Sequence, residues 1–222
     1  MRVTKYIHSC LLLEKGRDRM LFDPGKFSFV EGLVNPQQFQ SLAAIIITHQ
    51  HPDHIDDEAL KTIVDNNPSV ILLTNSEIQA RLAAKGMHAQ RFETGARAIG
   101  GFNITAWDAQ HAPILGSRAP QNTAYIVDEI FLHPGDSFAQ SLAAKAGTRV
   151  LALPVMAPWT TELEVAAFAQ RMSPKQIIPI HDGYAKAFFL EQRYENFTKH
   201  FSANGVQFHW MNKPGDFMEI DT

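Results

Sequence analysis

Three histidines and an aspartate, His49, His51, Asp53 and His54, fall within the hexapeptide HQHPDH, just past the apolar run AAIIIT. Imidazole and carboxylate bind transition ions at neutral pH, so this density in one loop points to metal rather than to a polar turn. His49 and His51 repeat at the two-residue period of extended chain, which would aim both rings at one ion. Pro52 then turns the chain. Asp53 and His54 would serve a second ion at the entry to a helix whose first turn carries Asp56, Asp57 and Glu58, acids that suit a positive helix end. The donor types indicate a transition metal without choosing among zinc, iron and manganese.

Other ligand-type side chains stand where apolar strands run out. His111 ends FNITAWDAQH, Asp136 follows IFLHPG and His181 follows QIIPI, each at a strand-to-loop junction of the kind where sheet folds place their sites. Gly135 and Gly183 beside them would let the backbone pass close to a metal. The opening strands are expected at Val3 to Ile7, Cys10 to Glu14 and Met20 to Phe22, as an antiparallel meander. Capping boxes at Thr74 to Glu77, Ser137 to Gln140 and Thr161 to Glu164 start helices, and Gly147 and Pro174 stop them. A last helix, about Phe188 to Phe201, precedes a strand at Val206 to Met211 and a closing segment at Phe217 to Ile220. This alternation is α/β. It has no repeat and no linker, so one domain over residues 1–222 is expected.

Composition narrows the partners. The 222 residues are 45% hydrophobic and 19% charged, enough to bury a sizeable core. Twenty basic against 23 acidic residues give a net charge of -3, without the positive surplus that nucleic-acid binding calls for. Cys10 is the single cysteine and sits in an apolar run, which reads as a buried core thiol. No apolar stretch reaches signal-peptide or membrane-span length, so a cytoplasmic protein without a membrane partner is expected.

The motif of His49, His51, Asp53 and His54 resembles the HxHxDH signature of the metallo-β-lactamase superfamily, and His111, Asp136 in a GDS turn and His181 follow in that family's order. IHSCLLLE, MLFDPG and PKQIIPIHDG look closest to the branch with ascorbate-6-phosphate lactonase and related metal-dependent hydrolases. The resemblance implies a four-layer αββα sandwich with a two-metal site at one edge. His49, His51 and His111 would hold the first ion, Asp53, His54 and His181 the second, and Asp136 would bridge them. Ser137 replaces the threonine of many relatives and keeps the hydroxyl.

The implied cofactors are two divalent ions, zinc first, with manganese or iron as alternatives. Sharing Asp136, they would share a water and aim the resulting hydroxide at a small-molecule lactone, other ester or amide, or phosphoester. Asp53 would relay a proton to the leaving group. Asp23 is expected to orient a ligand imidazole, or else to be a turn residue before Pro24. His8 would line the pocket, and His133 would end its strand. Arg118, in the loop Ala112 to Gln121, would hold an anion, and Phe27 to Phe29 and Trp159 would supply aromatic walls. Homo-oligomerisation stays open. The competing readings are a mononuclear iron sulfur oxygenase and a non-catalytic metal-binding or interaction domain.

Overall fold

The computed structural model describes residues 1–115 and 118–221. Strands β1 (Arg2–Lys5), β2 (Leu11–Lys15) and β3 (Asp18–Phe22) form the expected antiparallel meander. The short helix α1 (Lys26–Phe29), which the sequence did not signal, leads toward β4 (Ala44–Ile46). Helix α2 (Asp57–Asp65) crosses to β5 (Ile71–Thr74), and α3 (Ser76–Ala83) crosses to β6 (Gln90–Arg91). Those last three strands extend the sheet in parallel from β3.

A second sheet repeats the plan. Strands β7 (Gly95–Ile99), β8 (Phe102–Asp108), β9 (Thr123–Val127) and β10 (Phe131–His133) run antiparallel. Strand β11 (Val150–Pro154), helix α4 (Glu162–Met172), β12 (Gln176–Ile180), α5 (Ala187–Ala203) and β13 (Gln207–Phe208) continue it in parallel. The chain ends in β14 (Asp216–Glu219), which returns to pair with β1.

Side-chain alternation fixes the layers. Leu11, Leu13, Met20, Phe22, Ala44 and Ile46 face the core between the sheets, where they meet residues such as Ile104, Tyr125 and Phe131. Their neighbours Leu12, Leu21 and Ile45 point the other way, against Leu60 and Ile63 of α2 and Ile78 and Leu82 of α3. In the second sheet Ile126, Leu132 and Leu151 likewise pack on Phe168 of α4 and Tyr194 and Phe197 of α5. A period of two with both faces apolar requires cover on both sides, which is the αββα sandwich.

Local signals err by small steps. The capping box of Thr161 and Glu164 forms. Thr74 instead stays in β5, its hydroxyl donating to the Ile47 carbonyl at 3.1 Å, and Asn75 caps α3. Ser137 donates to the Gln110 carbonyl at 2.6 Å, and the segment after it, Gln140–Lys145, is a 3-10 helix without a side-chain cap. The strand expected at Val206 to Met211 pairs only over Gln207–Phe208.

Strand direction positions the site. Since β1 and β3 both run antiparallel to β2, and β4 parallel to β3, all three leave their sheet at one edge. By the same pairing β8, β10, β11 and β12 share a direction. His8, Asp23, His49, His111, Asp136 and His181 each follow the C-terminal end of one of these strands.

Candidate metal centre

The four residues of HxHxDH do not sit on a strand. Strand β4 ends at Ile46, and His49 lies beyond it, where the Ile47 amide still reaches the Leu73 carbonyl at 3.1 Å. A turn follows, closed by the amides of His54 and Ile55 on the His51 carbonyl at 2.9 and 3.0 Å. Asp56 then caps α2 through the amides of Glu58 and Ala59.

Two four-residue clusters result, His49, His51, His111 and Asp136 in one, and His8, Asp53, His54 and His181 in the other. Within each, the donor atoms lie within 4.8 Å of one another. In the first, the rings of His49, His51 and His111 stand pairwise 4.8 Å apart and nearly perpendicular, and His49 Nε2 faces His51 Nδ1 at 3.1 Å. Asp136 lies between the clusters. Its Oδ2 is 3.9 Å from His49 Nε2, 3.7 Å from His111 Nε2 and 2.9 Å from His181 Nε2, and its Oδ1 is 3.2 Å from His54 Nε2.

Hydrogen bonds set which ring nitrogen faces inward, and the tautomers follow from those partners. His111 Nδ1 donates to the Ala112 carbonyl at 2.6 Å and His181 Nδ1 to the Met156 carbonyl at 2.5 Å, which turns both Nε2 atoms toward the clusters. His54 Nδ1 lies 2.7 Å from Asp23 Oδ2. Asp23 also takes the amide and hydroxyl of Thr48 at 2.8 and 2.7 Å, so its carboxylate fixes the His54 ring while its backbone makes the turn. Replacing it by asparagine is expected to weaken metal binding about 10- to 100-fold, as measured by competition with a chelator.

His8 departs from its neighbours. Its Nδ1 accepts from the Gly183 amide at 3.0 Å, so Nε2 carries the proton and donates to Asp53 Oδ2 at 3.0 Å. Burial, then His181, lowers its pKa to about 4, and the ring is neutral at pH 7. His8 therefore buttresses Asp53 as a donor.

The sites fit cations on an observation independent of the motif. His111 Nε2 is buried with no hydrogen-bond partner among the described residues, and His54 Nε2 and Asp136 Oδ1, also buried, face only each other, at 3.2 Å and without good hydrogen-bond direction. An orphan such as His111 Nε2 costs about 1–3 kcal/mol, which a bound ion would offset. Charge agrees. Burial acts to lower His54 and His181, but the carboxylates around them, Asp136 foremost, prevail and lift His54 well above its ordinary value and His181 to about 9. Without metal these imidazoles hold protons where cations would sit. Metal uptake at pH 7.5 should release protons, the one on His181 among them, and affinity should rise with pH through about 9, where His181 gives up its proton unaided. Titration calorimetry in buffers of different ionisation enthalpy reads that release.

Backbone strain gathers here. His8, Asp23 and His181 adopt φ of 63°, 41° and 64°, in the left-handed region that costs a non-glycine residue about 1–3 kcal/mol. Gly25 gives close approach, since a Cβ there would lie 1.7 Å from the Asp53 carbonyl oxygen. Gly135, at φ 60°, abuts Asn122 rather than a metal position. Asn122 accepts from the Asp136 amide at 3.1 Å and donates to the carbonyls of Ala109 and Pro134, pinning the two loops that carry His111 and Asp136. No local pattern announces that role. A buried triad was also missed: Lys5 Nζ reaches Asp182 Oδ2 at 2.5 Å, Tyr194 donates to the same oxygen, and together they anchor the residue after His181. His133 ends β10, as expected, and stacks on Phe22.

A cavity of about 410 Å³ opens onto His51, Asp53, Asp136 and His181, with Ile114 and Trp159 among its other lining residues. Arg118 is not brought there. It is exposed and lines a separate hollow of about 670 Å³ with Ser76 and Asp108, because the loop after His111 carries it outward. Of that loop, Gly116 and Ser117 lie outside the described residues. Phe27 packs on His8 and Tyr184 and lines no part of the 410 Å³ cavity.

The family model described as "Beta-lactamase superfamily domain" matches residues 2–181. The protein Rv0786c of Mycobacterium tuberculosis is 34% identical over 82% of this chain and 84% of its own length. The UPF0173 metal-dependent hydrolase MJ1163 of Methanocaldococcus jannaschii is 25% identical over 92% of this chain and 94% of its own. Among solved structures, Igni18, a metallo hydrolase from Ignicoccus hospitalis, superposes with a TM-score of 0.74 at 21% identity, covering 99% of both chains. Sandwich, paired His/Asp clusters and these matches agree: the chain belongs to the beta-lactamase superfamily and is a metal-dependent hydrolase.

Proposed function

We propose that this chain is a binuclear hydrolase of a small molecule, cleaving a lactone or other ester or amide, or a phosphoester, with lactones the first choice. The observation that carries this reading is the Asp136 carboxylate, 2.9 to 3.9 Å from imidazole nitrogens of both clusters. His49, His51 and His111 would hold one ion, Asp53, His54 and His181 the other, and Asp136 both. Five imidazoles and two carboxylates without a thiolate suit zinc best, with manganese and iron next. Bound there, the pair of ions would supply a water of lowered pKa and an electrophile for the substrate oxygen.

The chain's own residues do the rest. Burial of Asp53 favours its protonated form, but hydrogen bonds from His181 and His8 outweigh burial and keep it an anion. It lines the cavity and is half-buried, so it can take a proton there and pass it to a leaving group. His8 fixes the carboxylate by holding Oδ2, and Asp23 fixes the His54 ring. Among the described residues no helix is long and apolar enough to cross a membrane, which accords with a cytoplasmic enzyme of small molecules.

Elemental analysis of protein purified without chelator is expected to find about two ions per chain. Proton release in a screen of lactones, esters and phosphodiesters with the metal found would identify the bond. One ion per chain, or none after supplementation with zinc, manganese and iron, would refute the binuclear reading.

A further inference from the structure

The cavity over the two clusters is reactive on one side and hydrocarbon on the other. His51, Asp53, Asp136 and His181 bring the chemistry, whereas Pro113, Ile114, Leu115, Pro158 and Trp159 complete the lining. Trp159 carries the one polar atom among these five side chains, and it is already engaged: Nε1 donates to Asp136 Oδ2 at 3.3 Å. Its ring is braced edge-on by Phe138, 5.0 Å away, which stacks at 4.4 Å on Phe168 of α4. Trp159 is thus a fixed apolar surface tied to the carboxylate between the clusters, and the other four side chains extend it. A volume of about 410 Å³ is of small-molecule size.

A substrate whose scissile bond lies over the clusters must lay the groups flanking that bond against this wall. Hydrocarbon gains there by leaving water, whereas a carboxylate or phosphate would lose its hydration with no side-chain donor in the wall to replace it. From the cavity's lining we infer that the substrate is a neutral ester or lactone with a hydrocarbon group beside the scissile bond. This inference rests on the hydrolase reading of the same site. It narrows that reading by setting aside substrates that carry a second anionic group.

The test uses protein holding the metal it is purified with and two esters matched in length, 4-nitrophenyl hexanoate and 4-nitrophenyl hydrogen adipate, which ends in a carboxylate. The expected kcat/KM ratio favours the hexanoate by at least about tenfold, and Ile114→Lys, which puts an ammonium on the wall, should cut that ratio about tenfold. A second arm reads binding without turnover, by calorimetry with hexanohydroxamate and the hydroxamate of adipic acid. The neutral probe should bind at least about tenfold more tightly. Should neither ester be cleaved while that preference persists, ester hydrolysis falls and the apolar wall stands. A neutral hydroxamate bound no more tightly than its carboxylate partner, absence of binding by either included, overturns the inference, and cleavage of either ester would then leave the hydrolase reading intact.

Discussion

Asp136→Asn is expected to strip metal from both clusters and to lower hydrolysis by at least about 10²–10³-fold, the loss typical of removing a single charge-stabilising group. The expectation follows from where the side chain sits. One carboxylate faces His49 and His111 on one side and His54 and His181 on the other, and it is fully buried. Asparagine keeps the volume but removes the negative charge that two cations would share. The backbone of Asp136 is held independently by Asn122 and by the Ala112 amide on its carbonyl, so the loop should keep its path. Elemental analysis and circular dichroism together check the prediction: metal near zero with an unchanged spectrum. Two ions retained per chain would remove Asp136 from the bridging role.

Gly25→Ala should be the most damaging single methyl in the molecule. A Cβ at this position would lie 1.7 Å from the Asp53 carbonyl oxygen and 2.6 Å from the His54 amide nitrogen, both backbone atoms that no rotamer change can move. Two backbone hydrogen bonds fasten the same segments, from the Lys26 amide to the Pro52 carbonyl at 2.8 Å and from the Asp56 amide to the Pro24 carbonyl at 3.0 Å. The loops must part, which exceeds the usual overpacking cost of about 1–3 kcal/mol. Asp53 and His54 move with them. The expected result is a chain that melts at lower temperature and loses the second ion first, read by thermal unfolding and metal stoichiometry. An unchanged melting temperature with two ions bound would show that the contact yields cheaply.

By itself the sequence determined which residues could do the chemistry and that strands and helices alternate to carry them, while the four layers were implied by the family resemblance. HQHPDH concentrates donors that only a metal readily explains, and His111, Asp136 and His181 stand where apolar runs end. Leu11, Leu12 and Leu13 show in three letters that both faces of their strand are buried, since neighbours on a strand point to opposite sides. These are local signals, written in spacings of one to four residues, and they err only where neighbours compete, as when Thr74 stays in its strand and leaves the cap to Asn75.

Tertiary structure alone decided how the donors are aimed. The tautomer of His8 depends on Gly183, 175 positions away, and the path of Asp136 depends on Asn122 in another loop. Asp23 serves His54 only because β3 lies beside β4. Arg118 follows His111 by seven residues yet lines a different hollow, while Trp159 lies 23 residues beyond Asp136 and touches its carboxylate. The register of two sheets sets these contacts, and register depends on the packing of the whole core rather than on any short stretch of chain.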